Sequence, residues 1–322
     1  MVSECMKNIY FQVINLKYNI GFVIMKFRSV FIIPIVLASA CSEGGNNHTV
    51  SDTHLKKTVY SSQDELNKAA QKKDPKALYT LASTYATNST DVEDQKKAFE
   101  LFEQSAKLGN DEAMLQLGLI YQEGSSYINI DDQKALSWYK QAAKKNNAMA
   151  LHNVGVAYYE GIGTKLDKKQ AYEYFVKAAK LGFLQSQKII AYQLYTGTGV
   201  KKDLKESFYW SLKAAQQGDI KSQNNVALNY EKGEGVEKDP IQAMNWFLKS
   251  ANNGNPEAQY NVALKYFAGN GTDQDFDKSI EYAEKAAKVQ NQAAIQLLIN
   301  IYSDIKNPKY NTEKANYWRA KL

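Results

Sequence analysis

Histidine is nearly missing from this chain: three in 322 residues, at positions 48, 54 and 152. A zinc or other transition-metal site needs several nitrogen, sulfur or carboxylate ligands converging on one point. His48 and His54 sit six residues apart in a polar segment and read as solvent-exposed spacers, and His152 has no second histidine to share a metal. Cysteine is as scarce. Cys5 and Cys41 are the only two, too few to staple a small disulfide scaffold. Five prolines and 18 glycines exclude a collagen-like chain or a proline-rich linker. Arginine is reduced to Arg28 and Arg319. A nucleic-acid binder clusters lysine and arginine on one face and uses arginine to fork onto phosphate and guanine; here the lysines are spread along the chain among aspartates and glutamates, so no nucleic-acid partner is expected. No phosphate loop, GxSxG elbow or Cys/His cluster occurs, which points away from an enzyme and from a cofactor.

What is present is a globular composition, 44% hydrophobic and 23% charged. The formal charge of +6 arises largely at the N-terminus. Setting aside Lys7, Lys17, Lys26, Arg28 and Glu4, all in the first 40 residues, leaves 36 basic and 33 acidic residues of the original 40 and 34.

The N-terminus reads as an address. In KFRSVFIIPIVLASAC (26–41) a short basic region precedes an apolar run from Val30 to Leu37 and then the small residues Ala38, Ser39 and Ala40. That is the layout of a secretory signal, with a run too short to span a bilayer as a mature helix. Cys41 directly after Ala-Ser-Ala resembles a bacterial lipobox, although Ala38 stands where that pattern usually has leucine. The resemblance implies a lipid-modified Cys41 as the mature N-terminus. Ser42, in place of the aspartate that retains such proteins at the inner membrane, implies outer-membrane anchoring facing the periplasm. Met25 begins a complete signal by itself, and the stretch before it is not read as fold. The expected organisation is therefore 1–40 leader and signal, 41–61 lipidated cysteine and a Gly/Asn/Ser/Thr-rich tether, and 62–322 the folded part.

That folded part repeats. Ala135, Ala171, Ser207, Ala243, Ser279 and Ala315 stand 36 residues apart, as do Trp138, Tyr174, Trp210, Trp246, Tyr282 and Trp318. Gly182, Gly218 and Gly254 keep the step, with Asn146 and Gln290 in the neighbouring units, and Gly124, Gly161, Gly197, Gly233 and Gly269 mark a second turn. One residue is inserted between Ser125 and Ile130. Each unit reads as two helices. Met149, Val154, Ala157 and Tyr158 give the spacing of an amphipathic first helix. Gly161 and Gly163 supply positive φ in the turn, and Asp167, repeated as Asp203, Asp239 and Asp275, caps the second helix. The small column is expected where helices approach closely and the aromatic column where a wide gap is filled.

With these residues in place, the units resemble the Sel-like repeat, a relative of the tetratricopeptide repeat. Unit 219–254 carries the pattern through Val226, Ala227, Tyr230, Gly233, Gly235, Val236, Asp239, Ala243, Trp246, Lys249 and Gly254. The resemblance covers about residues 66–322, with degenerate first and last units, as the water-facing ends of a solenoid require. It implies an all-α fold: an α-solenoid of about seven helix-turn-helix repeats wound as a right-handed superhelix.

By the geometry of the related tetratricopeptide array, first helices line a concave face. Among the positions there that the repeat leaves variable are Tyr79, Leu115, Met149, His152, Tyr159, Lys188, Tyr192, Tyr195, Asn224, Glu231, Tyr260, Leu264 and Phe267, with Lys221 and Glu257 also in the set. Tyr159, Tyr192, Tyr195, Tyr260 and Phe267 stand out, because aromatics give a large contact area at low entropy cost and are enriched at interfaces; several of these residues also have the chemistry to pack against the next unit. The expected function is a membrane-anchored, periplasm-facing scaffold that binds another protein. Some lipid-anchored proteins of this family block a secreted effector as immunity proteins, which is one form that function takes. A hydrolase of envelope polymers or β-lactams is the remote alternative, since the relatives linked to such activity are cysteine-rich and this chain has no cysteine after Cys41.

Overall fold

A computed structural model describes residues 60–88 and 91–322. The leader, Cys41 and the tether up to residue 59 lie outside the described residues. Among those described the chain is all-helical, with fifteen helices and no strand. Consecutive helix pairs repeat along it as an α-solenoid. Contacts divide the chain into two compact units, one ending at Asn153 and including 162–165, the other holding 154–161 and 166–322.

In the first unit, α1 (Gln63–Gln71) precedes α2 (Pro75–Asn88), α3 (Val92–Lys107), α4 (Asp111–Glu123) and α5 (Asp132–Ala143). Leu66 and Ala70 of α1 pack on Ala77 and Leu78, so this short helix covers the apolar face of the first hairpin. The division falls within α6 (Ala148–Glu160). The second unit holds α7 (Lys168–Lys180), α8 (Leu184–Thr196), α9 (Leu204–Gln216), α10 (Ile220–Lys232), α11 (Pro240–Asn252), α12 (Pro256–Ala268), α13 (Phe276–Ala287), α14 (Gln292–Ser303) and α15 (Thr312–Arg319). From α8 onward each first helix packs on the second helix of its own hairpin and on the second helix before it, so most contacts are local in sequence.

The boundaries follow from the caps. Asp167, Asp203, Asp239 and Asp275 are the N-caps of α7, α9, α11 and α13, each in extended backbone with its carboxylate accepting from an N–H of the first turn. Each such cap contributes on the order of 1 kcal/mol. The turn before it is closed by a recurring bond in which the cap's own N–H donates to a carbonyl at the end of the first helix: Asp167 to Tyr158 at 2.8 Å, Asp203 to Leu194, Asp239 to Tyr230 and Asp275 to Tyr266 at 2.9 Å. The inserted residue in 125–130 is absorbed without losing this bond, since Asp131 still donates to Tyr121 at 2.8 Å.

The small column behaves as its spacing implies. Ala135, Ala171, Ala243 and Ala315 are buried, and where serine replaces alanine the hydroxyl donates to the facing helix, Ser207 Oγ to Ala191 O at 2.7 Å and Ser279 Oγ to Ala263 O at 2.9 Å. The aromatic column behaves differently. Tyr174, Trp246 and Tyr282 are only half-buried, with Lys177, Lys249 and Lys285 over their rings at 5.2, 4.0 and 4.6 Å. The wide gap is filled one position later, by Tyr139, Phe175 and Phe247, all nearly inaccessible. The reason is local volume. Tyr139 and Phe175 lie directly over Gly118 and Gly155 of their facing helices, where a Cβ would run into the ring. In the repeat where Ser211 takes that place, Ala191 stands at the position of Gly118 and Gly155, and Trp210 itself is in the core at 5% exposure.

Candidate functional site

The first helices carry one face that the hairpin joints do not consume. In the second unit it is formed by α8, α10, α12 and α14, and its positions vary from repeat to repeat while the joints behind it hold their types. The joints include a buried glutamine ladder: Gln187, Gln223 and Gln259, 36 residues apart, each donate to the last turn of the preceding second helix, at Ala179 O, Ala215 O and Ala251 O, at 3.2–3.3 Å. Sequence reading missed this ladder, although the repeated glutamine was visible at the same step.

Ion pairs cross between successive first helices. Lys188 Nζ meets Asp219 Oδ2, the N-cap of α10, at 2.7 Å. Burial works against ionised Asp219, but hydrogen bonds from Lys188 and Ser222 outweigh it and hold the carboxyl below its ordinary value. Lys265, only 3% exposed, reaches Glu231 at 2.8 Å. Lys188 and Glu231, both named from the sequence as surface candidates, are thus already engaged inside the array.

Of the remaining candidates in this unit, Tyr159 packs against the core around Phe175 and lies near Tyr192, and burial raises its hydroxyl pKa. Tyr192 and Tyr195 are half-buried on α8; the Tyr195 hydroxyl is raised by burial and by the carboxylate of Glu234, to which it hydrogen-bonds. Tyr260, Leu264 and Phe267 line one side of α12 and rest on the core of the last two hairpins, with Phe267 edge-on to Phe276 at 5.8 Å. Asn224 is 4% exposed. In the first unit Leu115 is likewise buried, at 7%. Tyr79 lies half-buried against Phe102, ring centres 5.7 Å apart. Met149 is exposed, while His152 is half-buried and burial pulls its imidazole down to about 4. The half-buried candidates on this face of the second unit are therefore Tyr192 and Tyr195 on α8 and Tyr260, Leu264 and Phe267 on α12.

Two acceptors on this face stand apart. The Oδ1 of Asn224 is buried without a partner among the described residues. Glu257, in the first turn of α12, is half-buried; its carboxyl is raised by desolvation, opposed only by the charge of Lys221, and no hydrogen bond supports it. No group of histidine, cysteine, aspartate and glutamate able to hold a metal occurs among the described residues.

Comparison with known proteins agrees with this architecture. The Sel1 repeat family model matches six times, at 75–110, 111–147, 148–183, 185–219, 220–255 and 256–291. The hairpin α14–α15 continues the array beyond the last match. Among solved structures, c5321, a protective antigen of uropathogenic Escherichia coli strains with an SLR fold, is 31% identical with a TM-score of 0.69 over 80% of this chain. A Sel1 repeat protein from Oxalobacter formigenes is 26% identical with a TM-score of 0.62 over 80% of this chain and 74% of its own. The chain spans only 55% of the length of the first of these. No curated protein matches. With six family repeats covering more than half of its length, the chain belongs to the Sel1 repeat family.

Proposed function

We propose that the protein is a lipid-anchored, periplasm-facing scaffold that binds another protein through the first-helix face of its repeats. Sel1 repeats generally serve as protein-interaction scaffolds and not as enzymes. The observation that carries the reading is the contrast on α8, α10 and α12. Half-buried aromatics and polar groups that change from repeat to repeat stand in front of joints that repeat faithfully. Tyrosines held in place by a rigid array present area without a large ordering cost, which is the chemistry of interface anchors. The membrane attachment rests on the sequence around Cys41. Among the described residues no helix is long and apolar enough to cross a bilayer, and an acyl chain on Cys41 supplies an anchor without one.

The test is partner capture from envelope extracts by the full chain and by a Tyr192→Ala/Tyr260→Ala double variant. Equal helix content by circular dichroism, with retention of the partner reduced at least tenfold, is expected. Undiminished capture by the double variant refutes the face assigned here. Fatty-acid labelling that persists in Cys41→Ala refutes the anchor. Capture of a secreted effector whose toxicity the chain relieves on co-expression makes the scaffold an immunity protein.

A further inference from the structure

The scaffold reading leaves the partner's chemistry open, and the two orphan acceptors on α10 and α12 constrain it. Lys188 of α8 and Asp219 at the start of α10 show how neighbouring first helices meet: the side chain one turn into a helix reaches the N-cap of the next. One repeat on, the same two positions are Asn224 and Asn255. There the ion pair is gone. Asn255 spends its Oδ1 on the N–H groups of Glu257 and Ala258, at 2.9 and 3.1 Å. Asn224 Oδ1 is left buried with no donor among the described residues. Two residues past the cap, the Glu257 carboxylate is half-buried and receives no hydrogen bond among the described residues. Lys221, the cation whose charge it feels, is exposed and forms no ion pair with it. Two other cations of the first helices are engaged within the array, Lys188 with Asp219 and Lys265 with Glu231. This joint therefore offers acceptors and negative charge with no donor to match. A buried acceptor without a donor costs free energy that a partner's N–H groups recover, and Tyr260, three residues along α12 from Glu257, shares its side of the helix.

We propose that the first-helix face between α10 and α12 receives a basic side chain of the partner protein, an arginine or lysine on an exposed peptide segment, with Asn224 Oδ1 and the Glu257 carboxylate as acceptors and Tyr260 beside its aliphatic stem. An arginine suits such a site better than a lysine, because its guanidinium presents several donors in a fixed fork. The inference rests on the scaffold reading and adds the partner's charge to it.

The experiment is fluorescence anisotropy of the full chain with dye-labelled short peptide pools, randomised except for one central residue fixed as arginine, lysine, glutamine or glutamate. The arginine and lysine pools are expected to bind at least tenfold more tightly than the glutamate pool, and Glu257→Gln is expected to erase about tenfold of that preference. Asn224→Leu supplies a second readout. It is expected to weaken the arginine pool and at the same time raise the urea midpoint, since leucine removes a buried orphan acceptor. A purely structural Asn224 moves the midpoint and leaves the binding unchanged. Equal or stronger binding of the glutamine or glutamate pool, a basic preference that survives Glu257→Gln, or no binding of any pool overturns the proposal. In each case loss of partner capture by Tyr192→Ala/Tyr260→Ala still upholds the scaffold, so the two readings fail separately.

Discussion

Replacing Gly235 by alanine tests how the hairpin turns are seated. Gly235 has φ +77, and a Cβ there would overlap the carbonyl oxygen of Leu204 and lie 2.6 Å from its carbon and 3.1 Å from Lys205 N, all main-chain atoms at the start of α9. Gly218 has a similar φ of +91 but nothing within 4 Å of the added carbon. The pair separates two costs. Positive φ alone costs a non-glycine residue about 1–2 kcal/mol, partly offset by the smaller unfolded-state entropy of alanine. Asn146 and Gln290, at the position of Gly218 in other repeats, already bear it with φ near +60. Gly218→Ala should thus lose about 1 kcal/mol. Gly235→Ala carries the same strain and must also push the turn off a backbone that has no rotamer to yield, an overpacking cost of a further 1–3 kcal/mol or so. Urea unfolding followed by far-ultraviolet circular dichroism measures both. Hydrogen exchange should localise the second loss to α9 and α10. Equal destabilisation by the two substitutions would show that turn seating contributes nothing beyond φ, and would refute the argument.

Two further outcomes follow from buried polar groups. His152 has its folded pKa depressed by burial to about 4, against an unfolded value near 6.5. The unfolded chain therefore binds the extra proton between these values, so stability is full above about pH 6.5 and falls by roughly 3 kcal/mol as pH drops to about 4; His152→Leu should flatten that slope in denaturant midpoints taken across the window, and an unchanged slope would count against it. Gln193 is fully buried with neither side-chain polar atom paired among the described residues, and the equivalent position three repeats later is the fully buried Ile301. Gln193→Ile should raise the thermal midpoint by the equivalent of about 1 kcal/mol, and a lower midpoint would mean that those polar atoms are satisfied in solution.

The period, the caps and the turns were legible in the sequence because each is a local event. An aspartate N-cap acts within three residues, and a glycine with positive φ acts at its own position, so a fixed step of 36 exposes both. The side chain that fills each hairpin was not legible. Tyr139 with Gly118, and Phe175 with Gly155, are compensating pairs some twenty residues apart that change partner from one repeat to the next. Averaging over repeats draws the eye to the recurring Trp/Tyr column, yet Tyr174, Trp246 and Tyr282 of that column lie half-buried under their lysines. The candidate face was half legible for the same reason. Its columns could be read from the period, but a variable position is open only when its neighbour leaves it so. Leu115 and Asn224 turned out buried, and Lys188 and Glu231 turned out paired across the joint.

The same locality explains how the array tolerates polar defects behind its working face. In a solenoid the stability of each hairpin depends on itself and its neighbours, so a cost at one joint is not spread through a single core. Three of the side chains with unpaired buried atoms, Gln193, Gln223 and Asn224, belong to α8 and α10. Their penalty of order 1–3 kcal/mol each is borne where Phe175, Ile190, Val226 and Phe247 are all but fully buried. Burying a single large apolar side chain returns about 1.5–3 kcal/mol, so each defect is offset by packing within its own or the adjacent hairpin. A Sel1 array can therefore change the chemistry of one segment of its face, here to an acceptor-rich one, without disturbing the repeats that hold the rest of that face in register.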